Sequence, residues 1–184
     1  MDYLEHLEAH CGEFVAGYDV PDLLGDHVQI LKLKEPKLFG IVSVATLGLH
    51  LHSLQFEDGS VAHQELLFRF KQKRAEDDIV QLVWHLVTHA LETHQAFDLG
   101  EYFSLPKGVL KRYKFSSIYV TAPFYSDPSF LKYEGEPHDV LVVWFVPIFP
   151  SEERFIEEHG AEAFDELLFK TDDELLDLKR KPLV

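Results

Sequence analysis

Ten apolar residues, Val140 to Phe149, run without interruption through Pro147 and form the longest such stretch in the chain. A run of this kind has to be covered on both sides, and a central β-strand between two layers meets that need. It is too short for a membrane span, which takes roughly 20 residues. Residues 139–148 therefore read as a central strand. The rest of the chain can supply the covering layers. Of its 184 residues 46% are hydrophobic and 15 are phenylalanine, enough for one sizeable core and too many for wholesale disorder.

The elements around that strand follow from spacing and turn chemistry. Leu4, Leu7, Cys11, Phe14, Val15 and Tyr18 recur at three- and four-residue intervals and predict a helix over residues 1–18, closed by Gly17 and Pro21. Residues 28–33 and 41–49 read as strands, the second a buried one. Glu57-Asp58-Gly59-Ser60 is a turn, after which residues 63–70 return as a strand, so that the two flanking runs form an antiparallel pair. The clearest helix is expected over 77–97, where Ile79, Leu82, Val83, Leu86, Ala90 and Phe97 make one stripe. Asp77 and Asp78 suit its N-terminal dipole, and Gly100 lies just past its end. A further strand is expected over 116–122. Ser151 reads as the N-cap of a helix with Glu152 and Glu153 in its first turn. Gly160 breaks that helix, and Phe164, Leu167 and Leu168 give a last short amphipathic one. No repeat or Ser/Gly linker interrupts the order. The expectation is one α+β domain over residues 1–184, a mixed, mostly antiparallel sheet of five or so strands packed with helices.

Charge narrows the function classes. The formal net charge is −15, and it is carried by the two ends. Residues 1–28 hold seven acids and no base, residues 150–178 hold eleven acids and two bases, and the middle is close to neutral. This argues against nucleic acid or anionic lipid as a partner, both of which select clustered Lys and Arg. It suits steering toward a basic protein, although acidic helices also serve plain solubility. Glu152, Glu153, Glu157, Glu158, Glu162, Asp165 and Glu166 fall within fifteen residues and are the candidate partner-binding set. Like charges on neighbouring turns repel by a few tenths of a kcal/mol per pair, so helix stability does not account for them. The lone Cys11 makes no internal disulfide, and the acidic N-terminus lacks the basic and apolar regions of a signal peptide. Both point to a cytoplasmic protein.

Catalytic signals are weak. His85 and His89 are four residues apart and about 40° apart around a helix, close enough for one metal, and His50 and His52 alternate along a strand end as a second pair. His94 lies on another helix face and adds no third ligand. No HExxH, CxxC, GxSxG, GxGxxG or phosphate-loop pattern occurs. No catalytic residue, metal or cofactor is expected. Cys11, Trp84 and Trp144 read as structural.

The order of particular segments goes further. Val44-Ala45-Thr46-Leu47-Gly48-Leu49, then His52-Ser53-Leu54 and Glu65-Leu66-Leu67, resembles the opening of the Suppressor-of-fused (SUFU) domain family, with its A-T-x-G-L-S motif, E-L strand and long helix. Val146-Pro147-Ile148 leading to Glu152, His159-Gly160-Ala161-Glu162-Ala163-Phe164, and Asp177 to Lys181 are similar to its V-P-I-x-x-x-E, E-x-G-x-x-A-(F/L) and D-x-x-R elements, in the same order. The resemblance covers about residues 37–184. It departs at His50 and Leu51, where a serine and a polar residue often follow the Gly-Leu pair. The length resembles the stand-alone bacterial type rather than the two-part animal regulators. That resemblance implies a binding protein, akin to immunity proteins or antitoxins that neutralise polymorphic toxins, many of them nucleases. No interface residue of the family carries over by motif. Two other readings stay open: a small His- or metal-dependent enzyme built on His50, His52, His85 and His89, and a scaffold with an unrelated partner.

Overall fold

A computed structural model of the chain describes residues 2–21, 27–34, 40–71, 73–124, 126–171 and 173–184. In chain order its elements are α1 (Tyr3–Cys11), β1 (Glu13–Pro21), β2 (His27–Lys34), β3 (Val42–Leu47), β4 (Leu54–Gln55), β5 (Val61–Ala62), β6 (Gln64–Phe70) and α2 (Glu76–Thr93). β7 (Tyr102–Ser104), β8 (Ser117–Thr121), β9 (Lys132–Tyr133), β10 (Val140–Ile148), α3 (Pro150–His159) and α4 (Ala161–Lys170) follow. The main sheet has the order β1-β2-β3-β6-β10-β8-β7, with β9 added on β10; β4 and β5 form a separate small hairpin. β10 runs parallel to β6, with Val142 beside Glu65 and Trp144 beside Leu67, and the other pairings are antiparallel.

The apolar run is hidden as its pattern requires. Val143 and Phe145 face a core shared with Leu66, Phe68, Ile118 and Val120 and with the Ile79, Leu82, Leu86 and Ala90 stripe of α2. Val140, Val142, Trp144, Val146 and Ile148 face the opposite core, closed by Leu7 and Cys11 of α1, Ile156 of α3, and Phe164 and Leu168 of α4. One strand thus feeds two cores by the two-residue alternation of side chains. The expected α+β domain, the β3–β6 antiparallel pair and the central strand are present.

Three local expectations are corrected. The helix over 1–18 stops at Cys11. It opens on a capping box between Asp2 and Glu5 and closes at Gly12, whose φ of 92° turns the chain away. Residues 13–21 then pair along β2 with a bulge between Phe14 and Ala16, because the edge of β2 supplies the backbone partners that a continued helix would supply itself. Phe14 and Val15, 46% and 50% exposed, are surface residues of a strand and not a buried stripe. The long helix ends at Thr93 rather than 97, capped by His94 in the left-handed region (φ 56°) and not by Gly100. Gln64 explains the early exit: its buried amide donates to the Phe97 carbonyl (2.8 Å) and accepts from the Phe97 N–H (2.9 Å). Phe97 stays buried, edge-on to Phe145. Finally, Phe149 rather than Ser151 caps α3. Pro150 takes the first helical position, where its missing N–H is harmless, and Glu152 reaches back to accept from the Phe149 N–H (2.8 Å).

Truncating Leu86 to Ala should lower unfolding free energy by about 2–5 kcal/mol in a urea titration. His85→Ala, exposed on the same helix, should stay within about 0.5 kcal/mol of wild type. Equal effects at the two positions would place α2 off the sheet.

Candidate functional site

The seven acids of the C-terminal helices do not form one surface. Glu152 is wholly buried, in contact with Arg180 at 2.5 Å and 2.9 Å through its two oxygens; it also accepts from the Leu183 N–H at 3.0 Å. Arg180 donates further to the Pro147 carbonyl at 2.9 Å and lies over the rings of Phe149 and Phe115. Glu152 is therefore withdrawn from the partner-binding set: the guanidinium that neutralises it comes from 28 residues away and ties the C-terminal tail to the end of β10. Glu153 is half-buried and accepts from the Ser116 hydroxyl at 2.6 Å. Asp165 is half-buried and accepts from the hydroxyls of Tyr119 and Thr121, each at 3.1 Å. Burial pushes its carboxyl above the usual aspartate range, against the pull of those two hydrogen bonds, and burial beside it likewise raises the Tyr119 phenol.

The rest face solvent. Glu157 is exposed and accepts from the Tyr102 hydroxyl at 2.9 Å. Glu158, Glu162 and Glu166 are exposed, Glu166 in an ion pair with Lys170 at 3.2 Å, and Phe169 on α4 is 62% exposed. Glu162, Glu166 and Phe169 are spaced i, i+4, i+7, which puts two carboxylates and an aromatic ring on one face of α4. The Phe169 ring rests against Phe124 at 4.5 Å between centroids.

The polar residues of the first half are similarly divided. Glu65, wholly buried on β6, accepts from the Gly48 N–H (2.8 Å), the His50 N–H (3.2 Å) and the Thr46 hydroxyl, and meets the His50 ring at 2.5 Å. Gly48 (φ 105°) makes the turn that aims its N–H at the carboxylate. His50 lies in a single 3-10 turn, Leu49–Leu51, rather than along a strand, and His52 is buried at its end. The stretch thus does not place the two imidazoles side by side as alternation would. A second group of rings, Tyr3, His6, His10, Phe130 and Tyr133, packs around α1. Burial holds the His6 and His10 rings below the ordinary histidine value.

His85 and His89 are both exposed but open onto different hollows. His85 joins Tyr18, Val80 and Trp84 in a shallow groove between α2 and β1; His89 lines a cavity at the C-terminal end of α2. Among the described residues no three His, Cys, Asp or Glu side chains are arranged to hold a metal ion. Trp84, taken as structural from its sequence, is 49% exposed, whereas Trp144 is buried. Trp84 lies about 140° around the helix from Ile79, on the flank of the apolar stripe as its spacing predicts. No described helix is long and apolar enough to cross a membrane.

Comparison with known proteins matches residues 25–181 to the family model described as Suppressor of fused protein (SUFU). No curated protein sequence matches. Among solved structures, a protein described as a suppressor-of-fused homologue from Neisseria gonorrhoeae FA 1090 is similar at TM-score 0.75 and 16% identity, over 98% of this chain and 94% of that one. A chain of the Sufu–Fu complex gives TM-score 0.68 at 14% identity, over 98% and 90%. Drosophila Suppressor of Fused gives 0.60 at 14%, over 86% of this chain and 43% of that one. At these identities the likeness to each structure is one of fold.

Arg180→Met should destabilise the chain by about 3–5 kcal/mol in urea, because it leaves Glu152 charged and buried without its partner. Adding Glu152→Gln should recover part of that loss. A double variant as unstable as the sum of both single ones would mean that the pair is not coupled.

Proposed function

The chain belongs to the suppressor-of-fused family, and on that premise we propose that it is a non-catalytic module that binds a basic protein through the outer face of α3 and α4. The observation that carries this reading is the division among the C-terminal acids. The fold takes up Glu152, Glu153 and Asp165 in buried or half-buried contacts, yet leaves Glu158 of α3 in solvent, and Glu162 and Glu166 in solvent on the α4 face that carries the exposed ring of Phe169. Aromatic residues are enriched at the centres of protein interfaces, and charges at the rim steer the approach of a partner. A relative has been solved as a Sufu–Fu complex, so a fold of this kind accommodates a protein partner.

The finer proposal is an immunity protein or antitoxin of the stand-alone bacterial type, acting in the cytoplasm. A nuclease toxin suits the charge, since it must present Lys and Arg to phosphates and an acidic face both attracts and masks them. The same acidic field disfavours nucleic acid itself as the ligand.

The test begins with a protein captured by the chain and identified by mass spectrometry, and then measures its association rate. Glu158→Lys, Glu162→Lys and Glu166→Lys together should slow association by roughly ten-fold or more, and wild-type association should slow steeply above 0.1 M salt, where the Debye length is about 10 Å. Asp165 is left intact because it braces Tyr119 and Thr121. The melting temperature of the triple variant should stay near that of wild type. An acidic captured partner, or a rate indifferent to salt and charge reversal, would contradict the proposal.

A further inference from the structure

We infer that the cavity at the C-terminal end of α2 is a receptor for one arginine side chain of a partner protein. This rests on the reading of the chain as a binder of a basic protein and names a second point of contact, on the α2 side of the sheet. The cavity holds about 420 Å³, toward the small end of ligand sites and roomy enough for one long side chain.

Its walls are set before any ligand arrives. The Gln55 N–H donates to the His94 carbonyl (2.8 Å), and the Ala96 N–H donates to the Gln55 carbonyl (2.9 Å), so the β4 segment is pinned to the end of the helix. On the other side the buried Gln64 amide grips Phe97 through both backbone groups. A cavity held by four such hydrogen bonds loses little freedom on binding, which favours affinity.

The chemistry of the lining selects a planar cation. Phe56 and Phe103 are half-buried aromatic walls, with Phe103 edge-on to Phe97 at 5.7 Å. Glu57, Asp98 and Glu101 supply three carboxylates, and among the described residues no Lys or Arg lines the space. Glu101 accepts from the Asp98 N–H (3.2 Å) through Oε2, and Asp98 accepts from the Leu99 N–H (3.0 Å) through Oδ1, which orients both groups. The last turn of α2 adds the negative end of its dipole. His89 and His94 complete the titratable lining. Guanidinium matches this set better than ammonium. It stacks flat on aromatic faces, pairs with carboxylate through two parallel hydrogen bonds, and gives up its hydration more readily.

The probe is N-acetyl-arginine methylamide, titrated into the isotope-labelled full chain at pH 7.5 and low salt and followed by amide NMR shifts. Expected are saturable shifts concentrated at Phe56, Gln95 and Phe103, with the N-acetyl-lysine analogue bound roughly three-fold more weakly or worse. Glu101→Gln, which keeps an acceptor for the Asp98 N–H, should weaken the arginine probe roughly five-fold or more, as should Glu57→Gln in the exposed turn. Shifts spread over α3 and α4, or affinity unchanged in both variants, would overturn the inference while leaving the acidic-face proposal standing. Because the probe is read on the free chain, failure of the charge-reversal experiment would not mimic failure here.

Discussion

Everything else in the molecule is arranged around the need to hide β10 from water on both faces. Its alternate side chains enter two separate cores, and its neighbours β6 and β8 do the same: Leu66 and Phe68 against Leu67, Ile118 and Val120 against Tyr119. Two layers of helix are therefore obligatory. α2 supplies one; α1, α3 and α4 supply the other. The single parallel pairing in the main sheet, β10 on β6, follows from the long route by which α2 is laid over the first face before the chain returns.

Such burial takes polar groups inside as well, among them Glu152, one of the seven acids that read as a partner-binding set. Glu65 draws in the backbone of the Thr46–His50 turn, and Arg180 draws Glu152, the Pro147 carbonyl and the tail together. Glu65, Glu152 and Arg180, which fall within the segments that carry the family resemblance, thus close the turn after β3 and the junction of β10 with α3.

This explains what was legible in the sequence. β10 and α2 declare themselves through their own periodicity, and the charge asymmetry is visible by counting. What depends on distant partners is not. The switch from α1 to β1 requires the free edge of β2. The early end of α2 requires Gln64, 33 residues from Phe97. Which of seven glutamates and aspartates are structural is settled by Arg180, Ser116, Tyr119 and Thr121, none of them local. Trp84 and Phe169 lie exposed although composition alone assigns such rings to a core.

Burial in two cores makes β10 the last element to open. Native-state hydrogen exchange on the full chain measures it directly. The amides of Val142 to Val146 should exchange only through global unfolding, with one shared free energy equal to that from urea denaturation, while the edge strands β1 and β7 open at lower energies. If the β10 amides exchanged through local openings while β1 remained closed, the two-core account would be wrong.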